Sequence, residues 1–207
     1  MREELVVADI KVMSAGAVKS MVAALGAEFE RESGKKLDLN FGTAGSLLER
    51  IKNGETADLV ILSESAIAEL AKLGFVVPDS IADLGRTVTG VVVREGAPEP
   101  DISTPEAFRQ ALLNARSVAY TDPKAGGSGG IMFSALLQKL GIADEINKKA
   151  LLGKGGHDVA TSIAEGRAEL GTTFISEVLP VKGAKVVGPL PGELHNANTY
   201  TGARIAT

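Results

Sequence analysis

Four short stretches carry the residue types from which a site could be built. They are Ser14-Ala-Gly-Ala17, Gly42-Thr-Ala-Gly-Ser46, Ala125-Gly-Gly-Ser-Gly-Gly130 and Gly153-Lys-Gly-Gly-His157. Each offers backbone N–H groups, small side chains and an occasional hydroxyl. Where such a turn opens a helix, the first-turn amides have no partner in the helix and the dipole presents positive charge. That is the chemistry of small-anion capture. The competing reading is tight packing at strand–helix turns, or a flexible surface loop for the glycine cluster at 126–130. That cluster is no Walker loop, because no Gly-Lys-Ser/Thr closes it, and no acid stands where a dinucleotide fold would need one. The candidate ligand contacts are Ser14, Ala15, Gly16 and Ala17, then Thr43, Ala44, Gly45 and Ser46, then Ser128, Gly129 and Gly130, and finally His157.

Groups able to move a proton are few. His157 at a helix start would stay neutral beside the dipole and could act as donor or base. Tyr120 is the next choice. His195 follows Pro189-Leu-Pro-Gly and reads as loop. Asp58 reads as a cap or bridge, and the acids at 28–32 and Glu145 read as solvated faces. No Ser/His/Asp set is evident.

Composition narrows the classes further. The chain has 207 residues, a net charge of −4, 4% aromatics, no cysteine and 2 His. A nucleic-acid groove needs a basic field that is missing here. Without cysteine there is no disulfide framework, thiolate nucleophile or zinc ribbon, and two histidines cannot form a multi-histidine metal site. We expect no cofactor and no metal. Glycine is 24 of 207 residues, well above the usual ~7%, so the backbone must approach something closely at several turns. No apolar run reaches the ~18 residues of a membrane span. Met1-Arg-Glu-Glu has no basic and apolar leader pattern. Either the protein is cytoplasmic, or a leader has been removed and it is periplasmic or extracellular.

The elements that must position these turns alternate as strand and helix. Strands are expected at 9–13, 36–41, 58–62, 87–93, 117–121, 149–152, 170–174, 185–187 and 200–206. Helices are expected at 18–32, 47–53, 65–73, 106–114, 131–140 and 158–166. In the first helix Met21, Val22, Leu25 and Phe29 lie at helical spacing and make its apolar face. Gly34, Gly54 and Gly74 stop the first three helices. Thr104-Pro-Glu is a helix start, with Thr as cap and Pro in the first turn. Strands joined through helices imply mainly parallel sheets, with ligands outside the carboxyl ends of the strands. The pattern changes after Pro78. We expect two lobes with an anion site between them, residues 1–85 with 190–207 and residues 86–189.

These residues resemble a known family. Ile10-Lys-Val-Met-Ser-Ala-Gly-Ala17, Phe29-Glu with Gly34, Phe41-Gly-Thr-Ala-Gly-Ser-Leu47, and Ile51 with Gly54-Glu and Asp58-Leu-Val-Ile are similar to the first lobe of the periplasmic molybdate-binding proteins. Asp122-Pro, Gly129-Gly-Ile131, Leu136-Leu-Gln-Lys-Leu-Gly141 and residues 166–174 are similar to the second lobe. The resemblance implies an α/β type II solute-binding fold of two hinged lobes. It also implies a small-anion ligand and a membrane component of an ABC importer as partner. Two serines that hold the oxyanion in that family fall at Ala17 and Ala44, with Ser14, Thr43 and Ser46 as neighbouring hydroxyls. The tyrosine that closes the molybdate site falls near Phe174. Val159 is a further candidate ligand contact. The family's terminal helix has no counterpart after residues 200–206, so either the chain is shortened or the lobe is completed otherwise. This divergent branch is also similar to aconitate isomerase, which implies an alternative. The cleft would then hold an unsaturated tricarboxylate, with His157 shuttling the proton.

Overall fold

The computed structural model describes residues 9–206. Met1-Arg-Glu-Glu, read as lacking a leader pattern, and the two ends of the first lobe's expected range lie outside those residues. The first part of the chain runs β1 (Ile10–Ala15), α1 (Lys19–Ser33), β2 (Leu37–Gly42), α2 (Ala44–Lys52), β3 (Leu59–Ser63), α3 (Glu64–Lys72) and β4 (Ala82–Arg94). It continues with α4 (Pro105–Asn114), β5 (Val118–Thr121), α5 (Ser128–Lys139), α6 (Ala143–Asn147), β6 (Ala150–Gly153), α7 (Gly156–Ala164) and β7 (Leu170–Phe174). It ends with α8 (Ile175–Val178), β8 (Ala184–Pro189) and β9 (Ala197–Arg204). Single 3-10 turns at Gly16–Val18 and Pro123–Ala125 stand between β1 and α1 and between β5 and α5. Gly34 ends α1 with φ of 70°, a left-handed turn that favours glycine. Thr104 caps α4 as its spacing predicts, accepting from the Ala107 N–H at 3.1 Å.

The sheet order is β2-β1-β3-β9-β4-β7-β5-β6, with β8 also on β4. The expected parallel pairs are present at both ends: β1 with β2 and β3, and β5 with β6 and β7. The middle is antiparallel, so the whole sheet is mixed. β4 pairs with β9 through residues 82–88, then with β7 and β8 through residues 89–94. β9 in turn joins β3. One 13-residue strand thus belongs to two neighbourhoods, and β9 returns beside it.

Three apolar clusters flank this sheet. One is built on residues 12–76 and takes in Phe174, Tyr200 and Ala203. The second gathers Phe108, Leu112, Phe133, Leu137 and Ile146 around β5 and the second half of β4. The third packs α7 and α8 on Val92 and Ala119. Burial of such side chains is the main favourable term in folding, at roughly 25 cal/mol per Å2 of apolar area.

The apolar face of α1 is rotated from the one its periodicity predicts. Val22 and Gly26 are buried, whereas Met21, Leu25 and Phe29 are 41%, 59% and 42% exposed. Gly26 sets that choice: a Cβ there would stand 3.1 Å from the Leu37 side chain, so the helix approaches β2 along its smallest residues.

Candidate functional site

Three of the four glycine-rich turns, and the start of the second, meet at one cavity of about 480 Å3. Its wall includes Ala15, Gly16 and Ala17 after β1, Thr43 and Ala44 after β2, Ser128 and Gly129 at the start of α5, and Gly155, Gly156 and His157 at the start of α7. The order of elements explains the convergence. β1 and β2 are parallel, as are β5 and β6, so the turns after them emerge at matched strand ends, and each leads into a helix. Phe174 and Tyr200 close the cavity floor, ring edge to face with centroids 6.4 Å apart.

Other residues named from the sequence stand elsewhere. Ser14 is fully buried, and its hydroxyl reaches the Ala15 carbonyl at 3.4 Å. The Ser46 N–H donates to Thr43 Oγ1 at 3.2 Å, which caps α2, and its own hydroxyl donates to the Thr43 carbonyl at 3.0 Å. The Gly45 N–H donates across the molecule to the Gly126 carbonyl at 2.9 Å. Gly130 packs on β5, where a Cβ would stand 2.3 Å from the Thr121 carbonyl oxygen. Val159 is a core residue of the third cluster. Tyr120 belongs to the second cluster and donates to Asn147 Oδ1 at 2.6 Å. None of these lines the cavity.

The cavity also holds residues that the sequence reading missed. Lys19, Lys154 and Asp158 line it. Lys19 Nζ stands 5.4 Å from the Phe41 ring centroid, a cation–π distance. The carboxyl of Glu177 is the most unusual group. It accepts from the Gly156 N–H at 3.1 Å and from the Thr173 hydroxyl at 3.3 Å. Burial pushes its pKa up to about 7, against the lowering effect of the bonds from Thr173, Gly156 and His157. Burial likewise pushes the Tyr200 phenol up to about 12, against the lowering effect of the neighbouring Ser128 and Asn198 side chains. Gly156 makes this packing feasible. A Cβ there would stand 2.0 Å from Glu177 Oε2 and 2.1 Å from Thr173 Oγ1. Glu177 gave no signal in the sequence, because it is a lone acid in a four-residue helix directly after β7.

Two contacts tie the turn after β2 to the turn after β5. Thr43 Oγ1 donates to the Ala125 carbonyl at 2.5 Å, beside the bond between Gly45 and Gly126. A Cβ on Gly45 would stand 2.9 Å from Gly126 Cα, so only two glycines fit here.

Among the described residues no three His, Cys, Asp or Glu side chains converge as a metal ion would need. No described helix is long and apolar enough to cross a membrane.

A sheet of this order, with turns of amide donors facing one cavity, defines a solute-binding fold. The chain belongs to the bacterial extracellular solute-binding protein family, whose model matches residues 10–207. It is 32% identical over 205 residues to an aconitate isomerase of Pseudomonas sp, covering 97% of this chain and 77% of that protein. It is 24% identical over 193 residues to the molybdate-binding protein ModA of Escherichia coli K12, covering 92% and 75%. In structure it is similar to the periplasmic molybdate-binding protein of Azotobacter vinelandii. The TM-score is 0.76 at 18% identity, over 95% of this chain and 85% of that one.

Proposed function

We propose that this protein captures a small anion in the cavity and presents it to the membrane component of an ABC importer. The carrying observation is that amide-rich turns from both ends of the sheet face one cavity. Amide hydrogen bonds to a charged partner contribute roughly 1.5–3 kcal/mol each, so a few of them hold an anion without arginine. In this reading residues up to 85, with those from 190 onward, form one lobe. Residues 86–189 form the other, and β4 and β9 run between them. The family and its molybdate-binding relatives support this reading and a placement outside the cytoplasm. Ala17 and Ala44 bring no hydroxyl, and about 480 Å3 is far more than one tetrahedral oxyanion fills, so the ligand range includes small carboxylates.

Calorimetric titration with molybdate, sulfate and trans-aconitate tests the reading. Binding of one of them is the expected result, and flat titrations with all three would overturn it. Ser128→Ala is expected to weaken that binding about tenfold, the low end for a charged hydrogen bond. Unchanged affinity would remove Ser128 from the site.

A second reading is favoured by Glu177, a carboxyl with a pKa of about 7 facing the same cavity as His157. A general base needs such a poise near neutrality. In that reading the protein interconverts cis- and trans-aconitate, as the name of its 32% identical relative says of that protein. Ultraviolet absorbance of aconitate mixed with the protein, followed by product separation, decides between the two. Absence of interconversion above buffer leaves capture alone.

A further inference from the structure

A carboxyl stands among donors meant for an anion, and this calls for an account. Glu177 Oε1 would be 3.8 Å from a Cβ on Gly16, in the first donor turn, and it accepts from the Gly156 amide, in the last. An anion reaching both turns must therefore lie beside this carboxyl. Among the described residues neither oxygen takes a salt bridge. The charged groups around it are otherwise disposed. Lys19 on α1 lies against Phe41. Lys154 and His157 at the start of α7 are exposed. Asp158 accepts from the Lys154 N–H at 2.9 Å and meets Arg167 at 3.8 Å. Tyr200 on β9 is a neutral phenol, and Lys185 on β8 pairs with Glu99. β7 presents Thr173, and β4 presents Thr87, bonded to Ser176 at 2.9 Å.

Two like charges cannot share such a place in a low dielectric. We propose that Glu177 couples anion capture to proton uptake: the site takes its anion together with a proton on this carboxyl, which then donates a hydrogen bond to the bound anion. The proposal rests on the capture reading and names the regulation of that site. The proton comes from solvent, and the second oxygen keeps its bonds from Gly156 or Thr173. The raised pKa, about 7, sets the direction. Below it the carboxyl is already protonated and affinity is flat with pH. Above it each bound anion must bring a proton, and the dissociation constant rises about tenfold per pH unit.

Calorimetry with molybdate, sulfate and trans-aconitate at about pH 8, in two buffers of different ionisation enthalpy, counts the protons. The wild-type protein is expected to take up about one proton per anion, and Glu177→Gln none, with affinity that no longer changes with pH. Binding with no proton uptake, or with equal uptake in the variant, overturns the proposal and leaves capture standing. Flat titrations with all three anions instead overturn capture. A ligand-free measurement covers that outcome and any variant that fails to fold. The side-chain carboxyl carbon of Glu177, assigned by backbone connectivity in labelled protein, should titrate near neutrality. Titration in the ordinary carboxylate range overturns the proposal whatever the ligand.

Discussion

Gly130→Ala is expected to destabilise the fold by about 3 kcal/mol or more, the upper range for forcing extra volume into a packed site. Gly130 is buried in the first turn of α5. The added methyl would stand 2.3 Å from the Thr121 carbonyl oxygen and 2.9 Å from its carbon. These are backbone atoms of β5, held on both sides by β6 and β7, so neither partner can yield by a rotamer change. The gain in helix propensity from Gly to Ala is only about 1 kcal/mol and does not offset the clash. For a chain of this size the midpoint of thermal unfolding should fall by roughly 6–12 °C. Gly85→Ala is the control, because nothing lies within 4 Å of its added methyl, and its midpoint should barely move. An unchanged midpoint for Gly130→Ala would mean that α5 does not sit this close to β5.

Gly45→Ala should behave in the opposite way, sparing stability and weakening capture. Its methyl would meet Gly126 Cα and the Gly126 carbonyl oxygen, each at 2.9 Å. The clash falls between two turns that touch beside the cavity, not inside a core cluster. The turns can separate by giving up the bond from Gly45 to Gly126 and that from Thr43 to Ala125. Each such bond contributes about 0.5–1.5 kcal/mol. Together they favour the closed arrangement by about 1–3 kcal/mol, and an overpacking cost of about 3 kcal/mol offsets that preference or reverses it. If capture requires the closed arrangement, affinity falls by roughly 2- to 30-fold by population shift. Calorimetry with the anion that binds the wild-type protein measures this, and thermal unfolding checks that the fold is intact. Equal affinity in the two proteins would show that the contact between the two turns plays no part in capture.

Much of this architecture was legible in the sequence because its local signals agree. Apolar runs such as Leu59–Ser63 are followed at once by helical spacing, and left-handed glycines such as Gly34 mark helix ends. The strand at 87–93 was read from its β-branched residues. β4 in fact begins at Ala82, because β9 pairs with Ala-Asp-Leu-Gly-Arg, a stretch of low intrinsic strand preference. Non-local pairing decided those residues. The face of α1 was misread for a related reason: periodicity finds an apolar stripe, while close approach to β2 selected Val22 and Gly26.

The site divides along the same line. Turns that follow parallel strands announced themselves through composition, and they do border the cavity. Which amides remain for a ligand depends on distant partners, such as Gly126 for Gly45, and a single sequence does not show that. Nor does it show that Gly156 is small so that Glu177 can lie against it.

The contact between these two turns has a practical use as well. The sequence contains no cysteine, so one introduced thiol would be the only point of attachment for a dye. Lys124 is exposed on the short turn that Thr43 and Gly45 touch. A solvent-sensitive fluorophore fixed at that position would brighten or dim as the two turns part. The protein would thereby become an optical reporter of its own ligand in solution.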